Sequence, residues 1–137
     1  MIKGLSVPYD DLDPPVLVLV REINEFPGLG TMTSCGGGED HFLPPDRWEV
    51  GFQLEKSRGR PTRAAWLSLE FLAWYFYDRT QATRNADMRP LAKPPWLNSP
   101  GDMIWFMIDG YRSGDGTEPD EVANSISKLR NEIFSPR

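Results

Sequence analysis

Residues 47–77, RWEVGFQLEKSRGRPTRAAWLSLEFLAWYFY, contain the change of period that decides the fold. In the first part Trp48, Val50, Phe52 and Leu54 alternate with Glu49, Gly51, Gln53 and Glu55, which predicts a strand with one face on a core. Pro61 then sets a helix start, and the chain from Ala64 to Tyr77 is apolar nearly all round. Such a helix has to be covered on most sides. Either the sheet and a C-terminal helix cover it, or a second copy takes the remainder, giving a homodimer through helix 64–77.

Working outward, DPPVLVLVREINEF (13–26) opens with Asp13 as a helix cap and Pro14 at the first helical position. The run from Val16 to Val20 has strand propensity. Val16, Leu19, Val20, Ile23 and Phe26 nevertheless keep helical spacing, and Pro27-Gly28 stops the element. A short strand over 31–35 follows and runs into Gly36, Gly37 and Gly38. Downstream, residues 80–102 carry Pro90, Pro94, Pro95 and Pro100 and read as a long, partly extended loop. MIWFMIDG (103–110) reads as a central strand buried on both faces. TEPDEVANSISKLRNEIF (117–134) reads as an amphipathic helix, with Thr117 and Asp120 as a capping box and Val122, Ile126, Leu129 and Ile133 as its apolar stripe.

With IKGLSVP (2–8) as a first strand, the order is strand, helix, strand, strand, helix, strand, helix. This predicts one α+β domain over 1–137: a split βαββαβ, ferredoxin-like sheet with helices on one face, plus a C-terminal helix.

The chain has 137 residues, 39% of them hydrophobic, enough for one core. A formal charge of -5 argues against an extended nucleic-acid surface. No apolar run reaches the roughly 18–20 residues that span a bilayer, so no membrane association is expected. The lone cysteine and the start MIKGLSVPYDD, which lacks a signal-peptide core, point to a cytoplasmic setting.

The only cysteine and the only histidine, Cys35 and His41, flank the glycine run. A thiolate there could be held by successive glycine amides with His41 as its base, which makes these two the catalytic candidates. The plainer alternative is a small apolar side chain at a strand end and a solvated histidine. One Cys and one His beside Glu39 and Asp40 leave too few soft ligands for a closed zinc site, so no metal is expected.

Lys56, Arg58, Arg60 and Arg63 bring four cations to the start of the aromatic helix, where they oppose its dipole unless an anion joins them. A solvated hairpin end pairing with surface acids is the alternative. Ser34, Gly36, Gly37, Gly38, Arg58, Arg60 and Arg63 are therefore the ligand-binding candidates, for an anionic ligand or a protein partner. Of the tryptophans, Trp66, Trp74 and Trp105 are assigned to the core, and Trp96 in KPPWLNSPGD, a displayed lid or partner strip, joins the ligand-binding candidates.

The stretch TMTSCGGG (31–38) resembles the Ser-Ser-Cys-Ser-Gly-Arg segment of the third-step methyltransferase family of tRNA wybutosine synthesis. Ser34 and Cys35 match the Ser-Cys pair and Gly37 the glycine, while Gly36 and Gly38 replace the serine and the arginine. Over these few residues the resemblance implies an S-adenosylmethionine-dependent reaction on RNA.

Taken together, the residues point first to a small non-catalytic ligand- or partner-binding domain that uses the loop after Cys35 with the basic turn beside it. The cofactor is not specified. The alternatives are an S-adenosylmethionine-dependent RNA-modifying or cysteine-nucleophile enzyme centred on Cys35 and His41, and an acidic regulator or inhibitor. The last would act through Asp10, Asp11, Asp13, Asp115, Glu118, Asp120 and Glu121.

Overall fold

The structure, a computed structural model, describes residues 14–38, 43, 45–77, 86–91, 105–111 and 118–134. In chain order the elements are α1 (Pro14–Glu25), β1 (Leu29–Cys35), β2 (Arg47–Leu54), β3 (Lys56–Ser57), β4 (Arg60–Pro61), α2 (Arg63–Tyr77), β5 (Ala86–Leu91), β6 (Trp105–Tyr111) and α3 (Pro119–Phe134). β1, β2, β6 and β5, in that spatial order, form one antiparallel sheet, and β3 and β4 form a two-stranded ribbon. The protein is α+β, with all three helices on one face of the sheet around a shared core.

The helices form where their apolar spacing requires. Val16, Leu19, Val20, Ile23 and the following Phe26 are all buried, so the 3.6-residue period outweighs the strand propensity of the valines. α3 buries Val122, Ala123 and Ile126 against α1, and Arg130 donates to Glu22 at 2.9 Å across that seam. Asn24 ties α1 to β1: its amide nitrogen donates to the Thr31 hydroxyl, and the Thr31 backbone N–H donates to its carbonyl oxygen, both at 2.9 Å. Both residues are buried, and these two bonds satisfy donors that would otherwise be stranded.

β2 follows its alternation, with Trp48, Val50, Phe52 and Leu54 in the core. β6 takes the expected central place, between β2 and β5. Trp48 pairs with Gly110 of β6 and packs its ring against it, so that an added Cβ would stand 2.6 Å from the indole.

The sheet differs from expectation in one strand. Residues 86–91, read as loop because of the prolines, form β5, an edge strand. Pro90 is tolerated there because an edge strand needs only one side of its ladder. The expected first strand, 2–8, lies outside the described residues. Helix α2 starts at Arg63 rather than at Pro61, capped by the Thr62 hydroxyl, which accepts from the Ala65 N–H at 3.1 Å. Pro61 belongs to the β3–β4 hairpin, whose tip is Arg58 (φ 54°) and Gly59 (φ 78°), both left-handed as a type I′ turn requires.

α2 is seated by Gly28 (φ 79°), where a Cβ would come within 2.6 Å of the Ala65 backbone, and by Ser68 Oγ donating to the Pro27 carbonyl at 2.6 Å. It buries Ala65, Ser68, Leu69, Leu72, Tyr75 and Phe76. The opposite face is open. Trp66 and Trp74, expected in the core, are 57% and 52% exposed, and Tyr77 is 85% exposed. A period-3.6 helix that is apolar all round leaves one side bare when only one side meets the core. Among the described residues no helix is long and apolar enough to cross a membrane.

Candidate functional site

The site lies on the sheet face turned away from the helices, and a β-bulge in β1 determines which residues reach it. β1 pairs regularly with β2 from Leu29 opposite Leu54 to Thr31 opposite Phe52; the register then slips, and Thr33 opposes Gly51. Met32 is the extra residue. In an unbroken strand Leu29, Thr31, Thr33 and Cys35 would share the core face. The bulge turns Thr33 and Cys35 to the face away from the helices, opposite Gly51 and Glu49.

On that face the ladder sets Glu49 opposite Asp109 and Asp109 opposite Asp87, and beside them Gly51 opposite Met107 and Met107 opposite Arg89. Thr33, Ser34, Cys35, Leu43, Arg47, Glu49, Arg89 and Met107 line a groove of about 670 Å3. Gly51 beneath it lets the Thr33 and Met107 side chains of the groove pack close over the strand: a Cβ there would meet the Thr33 hydroxyl at 2.6 Å and the Met107 methyl at 3.5 Å. Cys35, Leu43 and Met107 are buried and give the groove an apolar part.

Its polar part is an ion cluster. Arg89 reaches Asp109 at 3.4 Å and Arg47 reaches the same carboxylate oxygen at 3.8 Å. The Arg89 side chain is 54% exposed, so its guanidinium can turn to an incoming group, whereas Asp109 is largely enclosed. Burial, and then the Asp109 carboxylate across the ladder, push the Glu49 carboxyl above its ordinary value, against the pull of Arg89 and Arg47. Of this cluster, the exposed Arg89 guanidinium is the group that can fork onto an added anion. Among the described residues no group of three or more His, Cys, Asp and Glu side chains is arranged to hold a metal ion.

Of the expected site residues, Ser34 and Cys35 line the groove. The glycines after them are partly committed to the fold. A Cβ on Gly36 would sit 3.0 Å from Pro15 of α1, and the Gly38 N–H donates to the Leu43 carbonyl at 3.1 Å; Gly37 takes φ 81°. The basic turn is not adjacent. Cys35 pairs with Glu49 near the start of β2, while Arg58, Arg60 and Arg63 follow its other end, where Leu54 pairs with Leu29. About six strand residues separate the two, roughly 20 Å at strand rise. Among the described residues the two stretches thus lie at opposite ends of the β1–β2 ladder. His41 and Trp96 lie outside the described residues. Of the acids assigned to a regulator, Asp120 and Glu121 occupy the first turn of α3, where they favour the helix dipole; the Glu118 backbone carbonyl accepts the first-turn N–H groups of Glu121 and Val122, and Asp10, Asp11, Asp13 and Asp115 lie outside the described residues.

Sequence reasoning missed Thr33, Arg47, Glu49, Arg89, Asp109 and Met107. A signal for three of them existed. Arg47 and Glu49 sit on the polar side of the alternating strand, and Asp109 is the one acid in an otherwise apolar run. No family model, curated protein or solved structure matches this chain.

Proposed function

We propose that this protein is a small non-catalytic binding domain that takes a small organic anion in the groove at the Cys35 end of the sheet face away from the helices. The observation that carries this reading is the convergence of Arg47 and Arg89 on one carboxylate at the edge of an apolar floor. The anionic group would exchange with Asp109 for the exposed guanidinium of Arg89, and the organic part would lie over Met107 and Thr33. A cytoplasmic setting belongs to this reading, supported by the lone, buried cysteine.

The catalytic alternatives have less support. Reactive cysteines sit in partly exposed, electropositive surroundings, and Cys35 is 8% exposed with Glu49 opposite it in the ladder. The S-adenosylmethionine reading rests on the short Ser34, Cys35 and Gly37 match alone. For the acidic-regulator reading, Asp120 and Glu121 already serve the first turn of α3, where they favour the helix dipole.

As a partner, a second copy of the chain seated on α2 is favoured by one specific observation, the exposed Trp66, Trp74 and Tyr77. Ligand binding is tested by titrating isotope-labelled protein with benzoate and with its neutral isostere benzamide, following backbone amide resonances. Benzoate is expected to shift Cys35, Glu49, Met107 and Arg89, with benzamide weaker and Arg89→Met abolishing the difference. Shifts confined to other parts of the molecule, or none at all, would refute the reading.

A further inference from the structure

We infer that two copies of the chain pair through the outward faces of α2, antiparallel about a two-fold axis between Trp66 and Leu67, with Arg63 of each copy against Glu70 of the other. This rests on the reading of a second copy as partner and fixes its geometry.

α2 contains one base, Arg63, and one acid, Glu70, both exposed and seven residues apart, hence on the same side two turns from each other. That spacing is too long for a pair within the helix, which needs three or four residues. Trp66 and Leu67, also exposed, lie between them. The face therefore carries its own complement. Turned antiparallel about the midpoint, Arg63 meets the partner's Glu70 twice over, and Trp66 and Leu67 of both copies close the centre.

A parallel pair would instead set Arg63 against Arg63. The antiparallel arrangement also removes a fault in the isolated helix. Its first turn carries Arg63 and no acid, against the dipole, and the partner's Glu70 brings a carboxylate to that end. Trp74, one turn beyond Glu70 and 52% exposed, adds a further ring to the face the two copies would share.

The test is sedimentation equilibrium of the full chain over a wide concentration range. The expected result is a monomer–dimer equilibrium that Trp66→Ser shifts to monomer with an unchanged circular dichroism spectrum. Arg63→Glu and Glu70→Arg should each weaken association about tenfold, as two reciprocal ion pairs become repulsive. The double variant R63E/E70R should restore it, a rescue that only the antiparallel register allows. A monomer up to the solubility limit would overturn both the self-association reading and the register. A dimer indifferent to Trp66→Ser, or a double variant as weak as the single ones, would overturn the register and leave self-association standing.

Discussion

Gly51→Ala should separate stability from binding. An added Cβ at this position would lie 2.6 Å from the Thr33 hydroxyl, too close to remain, but only at ordinary contact distance from Met107. Thr33 is exposed and can turn its hydroxyl aside at about 0.5–1.5 kcal/mol. Against this, alanine in a strand interior is about 0.5–1 kcal/mol better than glycine. The two terms nearly cancel. Gly51→Ala is therefore expected to melt within roughly 4 °C of the wild type, since about 1 kcal/mol corresponds to some 3–5 °C for a chain of this size. Gly110→Ala is the control, because its Cβ would meet the Trp48 ring at the same 2.6 Å. That ring is fully buried and cannot move aside, so overpacking should cost about 2–3 kcal/mol. Thermal and urea melts measure both variants, and benzoate titration measures the groove. Gly51→Ala should lose most of its benzoate response, because its methyl occupies the floor between Thr33 and Met107. A loss of more than about 2 kcal/mol in Gly51→Ala would mean that this face is packed rather than open. Unchanged benzoate binding would mean that the floor is not the site.

Glu49→Gln tests the electrostatics of the groove. The folded Glu49 carboxyl titrates above 4.5, so the native state holds its proton more tightly than the unfolded chain. Wild-type stability should fall as pH rises from 4.5 through the folded value and then level off, a loss the glutamine variant escapes; urea melts at successive pH values should show the gap widening upward, and a narrowing gap would contradict the assignment. Asn24→Ala strands the buried Thr31 N–H and hydroxyl and should cost about 2–3 kcal/mol in chemical denaturation, whereas a cost under about 0.5 kcal/mol would show that the pair is dispensable. Gly28→Ala combines left-handed strain with a clash against the Ala65 backbone, and about 3–4 kcal/mol is expected from equilibrium unfolding.

Much of the scaffold was legible because its periods are clean. The spacing of Val16, Leu19, Val20, Ile23 and Phe26 identified α1, the alternation from Trp48 to Leu54 identified β2, and the apolar run ending at Asp109 and Gly110 identified the central β6. β5 was hidden because Pro90 is a strand breaker everywhere except at an edge, and edge status is decided by the sheet rather than by local sequence. The exposure of Trp66 and Trp74 was hidden for a related reason: a helix apolar on every side does not say which side the core will take. At the candidate site, Ser34 and Cys35 were reached through the glycines beside them, of which Gly36 packs against Pro15 and Gly38 donates to the Leu43 carbonyl. What brings Cys35 to the groove is the bulge at Met32, a one-residue slip that reverses the facing of everything after it and has no compositional signature. Arg89 could not be joined to Arg47 without β5, so the cluster around Asp109 became visible only in three dimensions.

The most direct test of the anion-binding groove is the set of nuclear Overhauser contacts between the ring protons of bound benzoate and the protein's methyl groups. The Met107 and Thr33 methyls should give the strongest contacts, and Arg89→Met should remove them. Contacts to Trp66 or Leu67 instead, or strong contacts to Met107 that survive Arg89→Met, would contradict an anion held by the arginine pair over that floor.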